Sequence, residues 1–326
     1  MISKLYNAHI ELSEDQAERL QQPKTDWYTV EARPPPDREL PACPASFIQG
    51  IREMRTKWLG LRNTSPVVAF EVRRSDPDRL RFQYSVPTRR LERKLRNHLA
   101  DEISRIEFTE GTNGLPVTEG DTIGGATAST GRPDYYPLQS GFDAPPVNAL
   151  AGALHRHAMQ DTRFVIQIMF RSVAGKPVHR WWYRKHAHRE GDYLRSEKEQ
   201  LIGRRKPTSK EKKQAQHIGS KATGSLFETS IRFIVIGAEE HSPSRLHEVS
   251  GAYSRYENRE TGQYLKSSAV KTLRRSTLLD YCRAVANRRF GEWGRRFKTS
   301  VPELAALVSL PDRSQENIQY ARAYDT

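Results

Sequence analysis

The chain has 326 residues, a formal net charge of +14, 36% hydrophobic and 9% aromatic residues, which is polar but too aromatic for a disordered chain and long enough for two ordinary domains. No apolar run approaches the ~18 residues of a spanning helix, and MISKLYNAHIELSEDQ lacks the basic-then-apolar pattern of a secretory leader. Two cysteines, Cys43 and Cys282, are too few for a disulfide framework or a cysteine-based zinc site, so a cytoplasmic protein is expected.

Residues 1–25 read as a lead-in. Asp26–Arg33 alternates as a strand does, and prolines 34, 35 and 36 end it. Ala45–Leu59 places Phe47, Ile48, Ile51, Met54 and Trp58 at helical spacing. Val67–Val72 and Leu80–Val86 are β-rich runs around the turn signal RRSDPD and read as a hairpin. Arg89–Glu102 repeats Leu91, Leu95 and Leu99 on one helix face, and Ile103–Phe108 closes the half as a strand. The order over 26–109 is β-α-β-β-α-β, the ferredoxin-like pattern.

Residues 110–132 are rich in Gly, Ser and Thr and read as a linker. They are not a phosphate cradle, because no GxxxxGK[ST] occurs and no helix pattern opens after the glycines. The order then repeats over 133–268. It runs through a short strand at Asp134–Leu138, a helix at Val147–Met159, strands at Phe164–Phe170 and Leu226–Ile236, a helix at Pro243–Tyr256 and a strand near Tyr264–Ser267. An insertion, 172–225, stands where the first half has a tight hairpin. The expected fold is therefore α+β, two tandem ferredoxin-like units, the second carrying a basic helical insertion. Residues 269–326 add a C-terminal helical segment, with a helix over Val270–Phe290 and a capping box at Ser300–Glu303.

The charge is concentrated. Residues 171–222 hold 15 Lys/Arg against 5 Asp/Glu, and residues 271–298 hold 9 against 2. Clustered cations release counterions on meeting phosphate, so both segments are candidate contacts for DNA or an anionic membrane surface. The expected polyanion-binding residues are Arg180, Trp181, Trp182, Arg184, Lys185, Arg204, Arg205 and Lys206, with Arg288, Arg289, Arg295 and Arg296 second. The tryptophans are included because aromatics among cations stack on bases or seat at headgroups.

No catalytic constellation emerges. His155 and His157 alternate on a predicted helix and point apart. His179, His186 and His188 have no cysteine and few carboxylates near them in sequence, and GxSxG is absent. The strand candidates offer only Glu71 and Glu228, not the paired carboxylates of two-metal catalysis. The expectation is no enzyme, no cofactor and no metal site.

The stretch SLFETSIRFIVIGAEEHSPSRLHEVSGAYSRYEN, the basic helix after it and SVPELAALVSLPD resemble the region preceding the ATPase core in HerA/FtsK-superfamily DNA-transfer ATPases, the conjugative type IV secretion ATPases of archaea and bacteria. The matching residues are Phe227, Ile231, Arg232, Phe233 and Val235, then Ser300, Glu303, Leu304, Ala305, Leu307, Leu310 and Pro311. WYTVEARPPP, PVVAFEVRRSDPDRLRFQYSVP and LADEISRIEF are similar to the N-terminal portion of those proteins. In the family, Walker motifs follow the last element; here about fifteen residues follow it, so ATP hydrolysis is not carried over. The resemblance implies a non-enzymatic accessory or docking module of a conjugation-like or viral DNA-transfer machine. It would contact DNA or an anionic membrane, sit in the cytoplasm or peripherally at the inner face of the membrane, and meet a separate Walker-bearing ATPase through Glu303, Leu304, Leu307 and Leu310. Self-association stays open. Two alternatives stand beside this one: a tandem ferredoxin-like RNA-binding or processing protein of the CRISPR type, and a structural protein of a virus or mobile element.

Overall fold

A computed structural model describes residues 8–36, 40–76, 79–156, 159, 161–174, 177–199, 204–312 and 318. His157 lies outside them. The fold is α+β, and its centre is a ten-stranded antiparallel sheet. One group of strands is β2 (Tyr28–Arg33), β5 (Val68–Asp76), β6 (Arg79–Val86) and β7 (Glu107–Glu110). A second is β8 (Thr122–Thr130), β9 (Arg163–Ser172), β12 (Leu226–Ile236) and β13 (Leu265–Ala269). The first lies in the order β7-β2-β6-β5 and the second in the order β13-β8-β12-β9, and β5 pairs with β9 to join them. Two further strands complete the sheet: β1 (His9–Glu11) on β8, and β14 (Phe297–Ser300) on β12. Hairpins β3 (Thr56–Lys57)–β4 (Arg62–Asn63) and β10 (Lys198–Glu199)–β11 (Arg204–Arg205) stand apart from it.

Alternation decides which face each strand residue takes. Val68, Phe70 and Val72 of β5, Phe82 and Tyr84 of β6, Ile166 and Ile168 of β9, and Ile231 and Phe233 of β12 enter one large apolar core. Helices α2 (Ala45–Gly50), α3 (Arg89–Glu102), α4 (Val147–His155), α7 (Ser242–Ser250) and α9 (Val301–Leu307) cover that face. The opposite face bears Ile123, Val165, Ile234 and Ile236 under α1 (Glu14–Gln21) and α8 (Arg275–Ala286). Between β5, β6, β9 and β12 it turns polar, with Glu71, Arg73, Gln83, Gln167 and Arg232 all buried.

Several expectations need correcting. The 110–132 segment expected as a linker contains β8, a central strand, whereas Asp134–Leu138 is not a strand. Glycine is a poor strand former, yet here it is what the packing requires. A Cβ at Gly125 would overlap the Tyr281 ring, and one at Gly124 would crowd Ser242. The Tyr281 hydroxyl accepts from the Phe233 N–H at 3.2 Å and lies 2.6 Å from the Ala126 carbonyl, so the ring has no room to retreat. Gly125→Ala should therefore destabilise the fold by about 1–3 kcal/mol, read as a lower urea midpoint with unchanged slope. The helix expected to run from Ala45 to Leu59 stops at Gly50, and the β3–β4 hairpin follows. The helix expected over Val270–Phe290 spans Arg275–Ala286.

Segment 301–311, expected to meet an ATPase, lies inside the molecule but for Pro302. Glu303, Leu304, Leu307 and Leu310 are all buried. The Glu303 carboxylate closes the capping box at Ser300 N–H (2.6 Å), accepts from the Leu138 N–H (2.6 Å) and pairs with buried Lys221 (2.8 Å). Apolar spacing after a capping box is equally the signature of a core helix, and that is what these residues form.

Candidate polyanion interface

The site begins in the buried polar face. Glu71 accepts two bonds from Arg288 (2.8 and 3.1 Å) and one each from Arg73 (3.0 Å), Gln83 (2.7 Å) and Gln167 (2.7 Å). Arg288, in the left-handed region at φ 50°, also donates to the Asn113 side chain at 2.6 Å. Arg232 donates to Gln167 and to the carbonyls of Arg289 (2.9 Å) and Glu292 (3.3 Å). Burial lowers its guanidinium to about 10, so it remains charged at neutral pH. Two buried arginines thus pin the loop between α8 and β14 from beneath. Gly291 (φ 91°), Trp293 (φ 58°) and Gly294 (φ 89°) curl it, and Trp293 packs edge-on against Tyr281 at 5.8 Å.

The pinned loop forms one wall of a cleft of about 740 Å³; the end of β8 and the turn after it, Ser129–Asp134, form the other. Arg132, Arg295, Arg296 and Lys298 line it, against Asp134 and Glu228. Arg296 lies 3.5 Å from Glu228, and Lys298 lies 3.8 Å from Asp134. Arg132 stacks on Tyr136 at 3.6 Å. Arg295 is exposed and has no ion-pair partner among the described residues. The cleft therefore offers more positive charge than its own carboxylates neutralise, in a concave setting that concentrates anions.

The insertion adjoins this cleft. Helices α5 (Pro177–Arg195) and α6 (Ser209–Thr223) pack together through Tyr183, Ala187, Leu194, Ala215 and Ile218. The Lys298 ammonium sits 4.5 Å over the Tyr183 ring. Tyr183 is the aromatic that anchors the insertion, whereas Trp181 and Trp182 remain 52% and 49% exposed. Lys185 lies 4.7 and 5.6 Å from their rings, and Trp182 stacks on His186 at 5.7 Å.

With this geometry in place, comparison with known proteins gives one result. The chain belongs to the family described as Domain of unknown function (DUF8128), whose model matches residues 2–323. No curated protein matches it.

The residues expected to meet a polyanion separate into distinct groups. Trp181, Trp182, Lys185, Lys206, Arg289, Arg295 and Arg296 are exposed. Arg180 lies on α5 and Arg204 in β11, and of their side chains nothing is described. Arg184 donates to the Ala222 carbonyl at 3.2 Å, at the end of α6. Arg205 and Lys198 both hold Glu211 at the start of α6, and these bonds keep the Glu211 carboxyl well below the usual range. Arg288 corrects the expectation outright, because its guanidinium is buried on Glu71 and presents nothing to a ligand. Sequence reading missed Arg132 and Lys298, which the β8–β12–β14 arrangement brings together. Among the described residues no His, Cys, Asp or Glu cluster suits a metal ion, and no helix is long and apolar enough to cross a membrane.

Proposed function

We propose that this chain is a non-enzymatic, nucleic-acid-contacting accessory module of a DNA-transfer machine, built from two ferredoxin-like units. The strand order supports the architecture: in both β7-β2-β6-β5 and β13-β8-β12-β9 the strands run fourth, first, third, second along the chain, as two β-α-β-β-α-β units would lay them. The observation that carries the function is the cationic cleft, whose Lys298 meets the Tyr183 ring of α5, the helix that exposes Trp181 and Trp182. Phosphates enter among Arg295, Arg296 and Lys298, and unstacked bases lie on Trp181 and Trp182. A partner ATPase remains part of this reading, but its contact lies elsewhere than 301–311, which is buried.

Fluorescence anisotropy with labelled single- and double-stranded DNA over a salt series tests it. Trp181→Ala/Trp182→Ala should weaken single-strand binding about tenfold or more, the loss of one or two stacking contacts, while leaving the salt dependence unchanged. Absence of binding by the unaltered protein at low salt would discard the reading. The RNA-binding alternative draws on one specific observation: Gly291 and Gly294, both at positive φ, line the cleft and let backbone approach a bound strand. Competition by RNA of the same sequence decides between them; RNA displacing DNA at a small fraction of its concentration would favour the second.

A further inference from the structure

Outside the residues that line the cleft, large apolar side chains are exposed close together in sequence. In and beside the β3–β4 hairpin, Met54 is 56% exposed, Trp58 73%, Leu59 102% and Leu61 49%. Scattered single apolar residues are ordinary on a surface; three on one turn, Trp58, Leu59 and Leu61, are not. The turn closes with the Leu61 N–H on the Trp58 carbonyl at 3.0 Å. Its central residues, Leu59 (φ 52°) and Gly60 (φ 83°), both occupy the left-handed region, and Trp58 (φ 55°) joins them. Four residues separate the paired Lys57 and Arg62, and positive φ at the central positions of a hairpin turn is normally met by Asn-Gly or Asp-Gly. Here the sequence spends the polar position on leucine and sets a tryptophan before it, each in a conformation that L side chains disfavour. Strain and exposed apolar surface fall on the same residues, and that coincidence points to a use for the tip.

The stem is held firmly enough to present it. Thr64 N–H donates to the Arg55 carbonyl at 2.9 Å, and Arg55 N–H to the Ser65 hydroxyl at 3.1 Å. Asn63 donates to the Ser172 carbonyl at 2.9 Å, which ties the hairpin to the end of β9.

We propose that this hairpin is a membrane-docking wedge, whose Trp58–Leu61 tip enters the headgroup region of an anionic lipid bilayer. Charge selects that occupant. Lys57 and Arg62 flank the tip, both exposed, and neither has an ion-pair partner among the described residues. At the base Glu53 is already shared by Arg55 (3.0 Å), Arg90 (2.5 Å) and Lys94 (3.9 Å), so the collar around the apolar tip is cationic. Tryptophan seats at the depth of the headgroups, leucine reaches the upper acyl chains, and a ring of Lys and Arg meets lipid phosphate above them. One small wedge plus a basic collar gives reversible, peripheral attachment. The inference goes beyond the nucleic-acid reading and uses none of the cleft residues. Arg171 nevertheless links the two places: it donates to the Asn63 carbonyl at 3.3 Å and pairs with Glu228 of the cleft wall at 2.7 Å. A docked molecule would therefore hold its cleft near the bilayer surface.

Co-sedimentation of the full chain with vesicles of phosphatidylcholine alone, and with about a third phosphatidylglycerol, tests the proposal. The unaltered chain should sediment with the anionic vesicles and not with the neutral ones. Leu59→Asp should lower the bound fraction's partition coefficient about tenfold or more and Lys57→Glu/Arg62→Glu should lower it comparably, with DNA affinity and melting temperature retained. Trp58→Ala, at another exposed tip residue, should lower the partition coefficient too and guards against a folding artefact of the first variant. Equal sedimentation of Leu59→Asp and the unaltered chain overturns the wedge. So does loss of vesicle binding in a cleft variant alone, which would make the attraction electrostatic adsorption through the cleft. Failure of the unaltered chain to sediment, together with concentration-dependent self-association abolished by Leu59→Asp, would assign the tip to a second copy instead.

Discussion

Replacing Glu71 with leucine should cost about 3–5 kcal/mol, the penalty typical of stripping the partner from buried charges and a large share of a typical domain's stability of about 5–15 kcal/mol. Arg73 and Arg288 would each lose the carboxylate they pair with among the described residues while staying enclosed, and Gln83 and Gln167 would lose an acceptor. The pH dependence has a definite sign. Burial pushes the Glu71 carboxyl upward, but the charges of Arg288 and then Arg73, with hydrogen bonds from Arg288 and Gln167, outweigh it and bring the group from 4.5 down to about 2. The folded value lies below the unfolded one, so the stabilisation is complete above pH 4.5 and is lost as pH falls towards 2. Each unit of depression corresponds to about 1.4 kcal/mol. Urea midpoints should therefore be flat in this respect above pH 5 and fall below it, and Glu71→Gln should be less stable at neutral pH with a shallower acid limb. An acid limb identical in both proteins would show that the charge on Glu71 does not supply the effect. Arg288→Met is the informative companion: it leaves the Glu71–Arg73 pair intact but unties the loop that shapes the cleft, so it should weaken DNA binding more than it lowers the melting temperature.

The parts of this fold that read clearly from sequence are those whose local pattern and tertiary environment agree. Leu91, Leu95 and Leu99 predict α3 and are its buried residues. The apolar runs at 164–170 and 226–236 lie within β9 and β12, and the basic insertion falls between them as expected. Strand β8 did not read as a strand because its glycines answer to Tyr281 and Ser242, two residues more than a hundred positions away whose proximity no local window contains. The same blindness governs the site. Both basic segments were visible as charge, but not the direction each arginine would take. Arg288 and Arg289 are adjacent in sequence, yet one is enclosed on Glu71 and the other lies in solvent. The difference is set by φ 50° at Arg288 and by a carboxylate 217 positions distant. Arg132 carries no signal at all in a near-neutral stretch, and only the sheet places it opposite Arg295. The 301–311 element shows the converse error, in which a real capping box and real apolar spacing were assigned to a surface although they serve the core.

Arg295→Glu/Arg296→Glu should abolish measurable DNA binding near 0.1 M salt, a loss of about a hundredfold or more if each arginine meets one phosphate. Both side chains are exposed, and neither takes part in the Glu71 cluster that holds the fold. Arg296 gives up its contact with Glu228, at a distance and exposure where such pairs contribute about 0–1 kcal/mol, and an exposed contact 5.8 Å from the Phe290 ring of similar size. The melting temperature should therefore hardly move, which separates loss of affinity from loss of structure. Two readouts then distinguish a specific cleft from a diffuse basic surface. Neutral Arg295→Ala/Arg296→Ala should reduce the slope of log affinity against log salt by about 2, one counterion-releasing contact per arginine. Lys206→Ala, an exposed cation of the insertion away from the cleft lining, should leave that slope nearly as it was. Equal effects from both substitutions would mean that the whole basic surface attracts DNA without a preferred track. An unchanged slope in the arginine pair would remove the cleft from the binding path altogether. A slope reduced only by the cleft pair, combined with a stacking loss confined to Trp181→Ala/Trp182→Ala, describes a strand whose phosphates run through the cleft while its bases lie along α5.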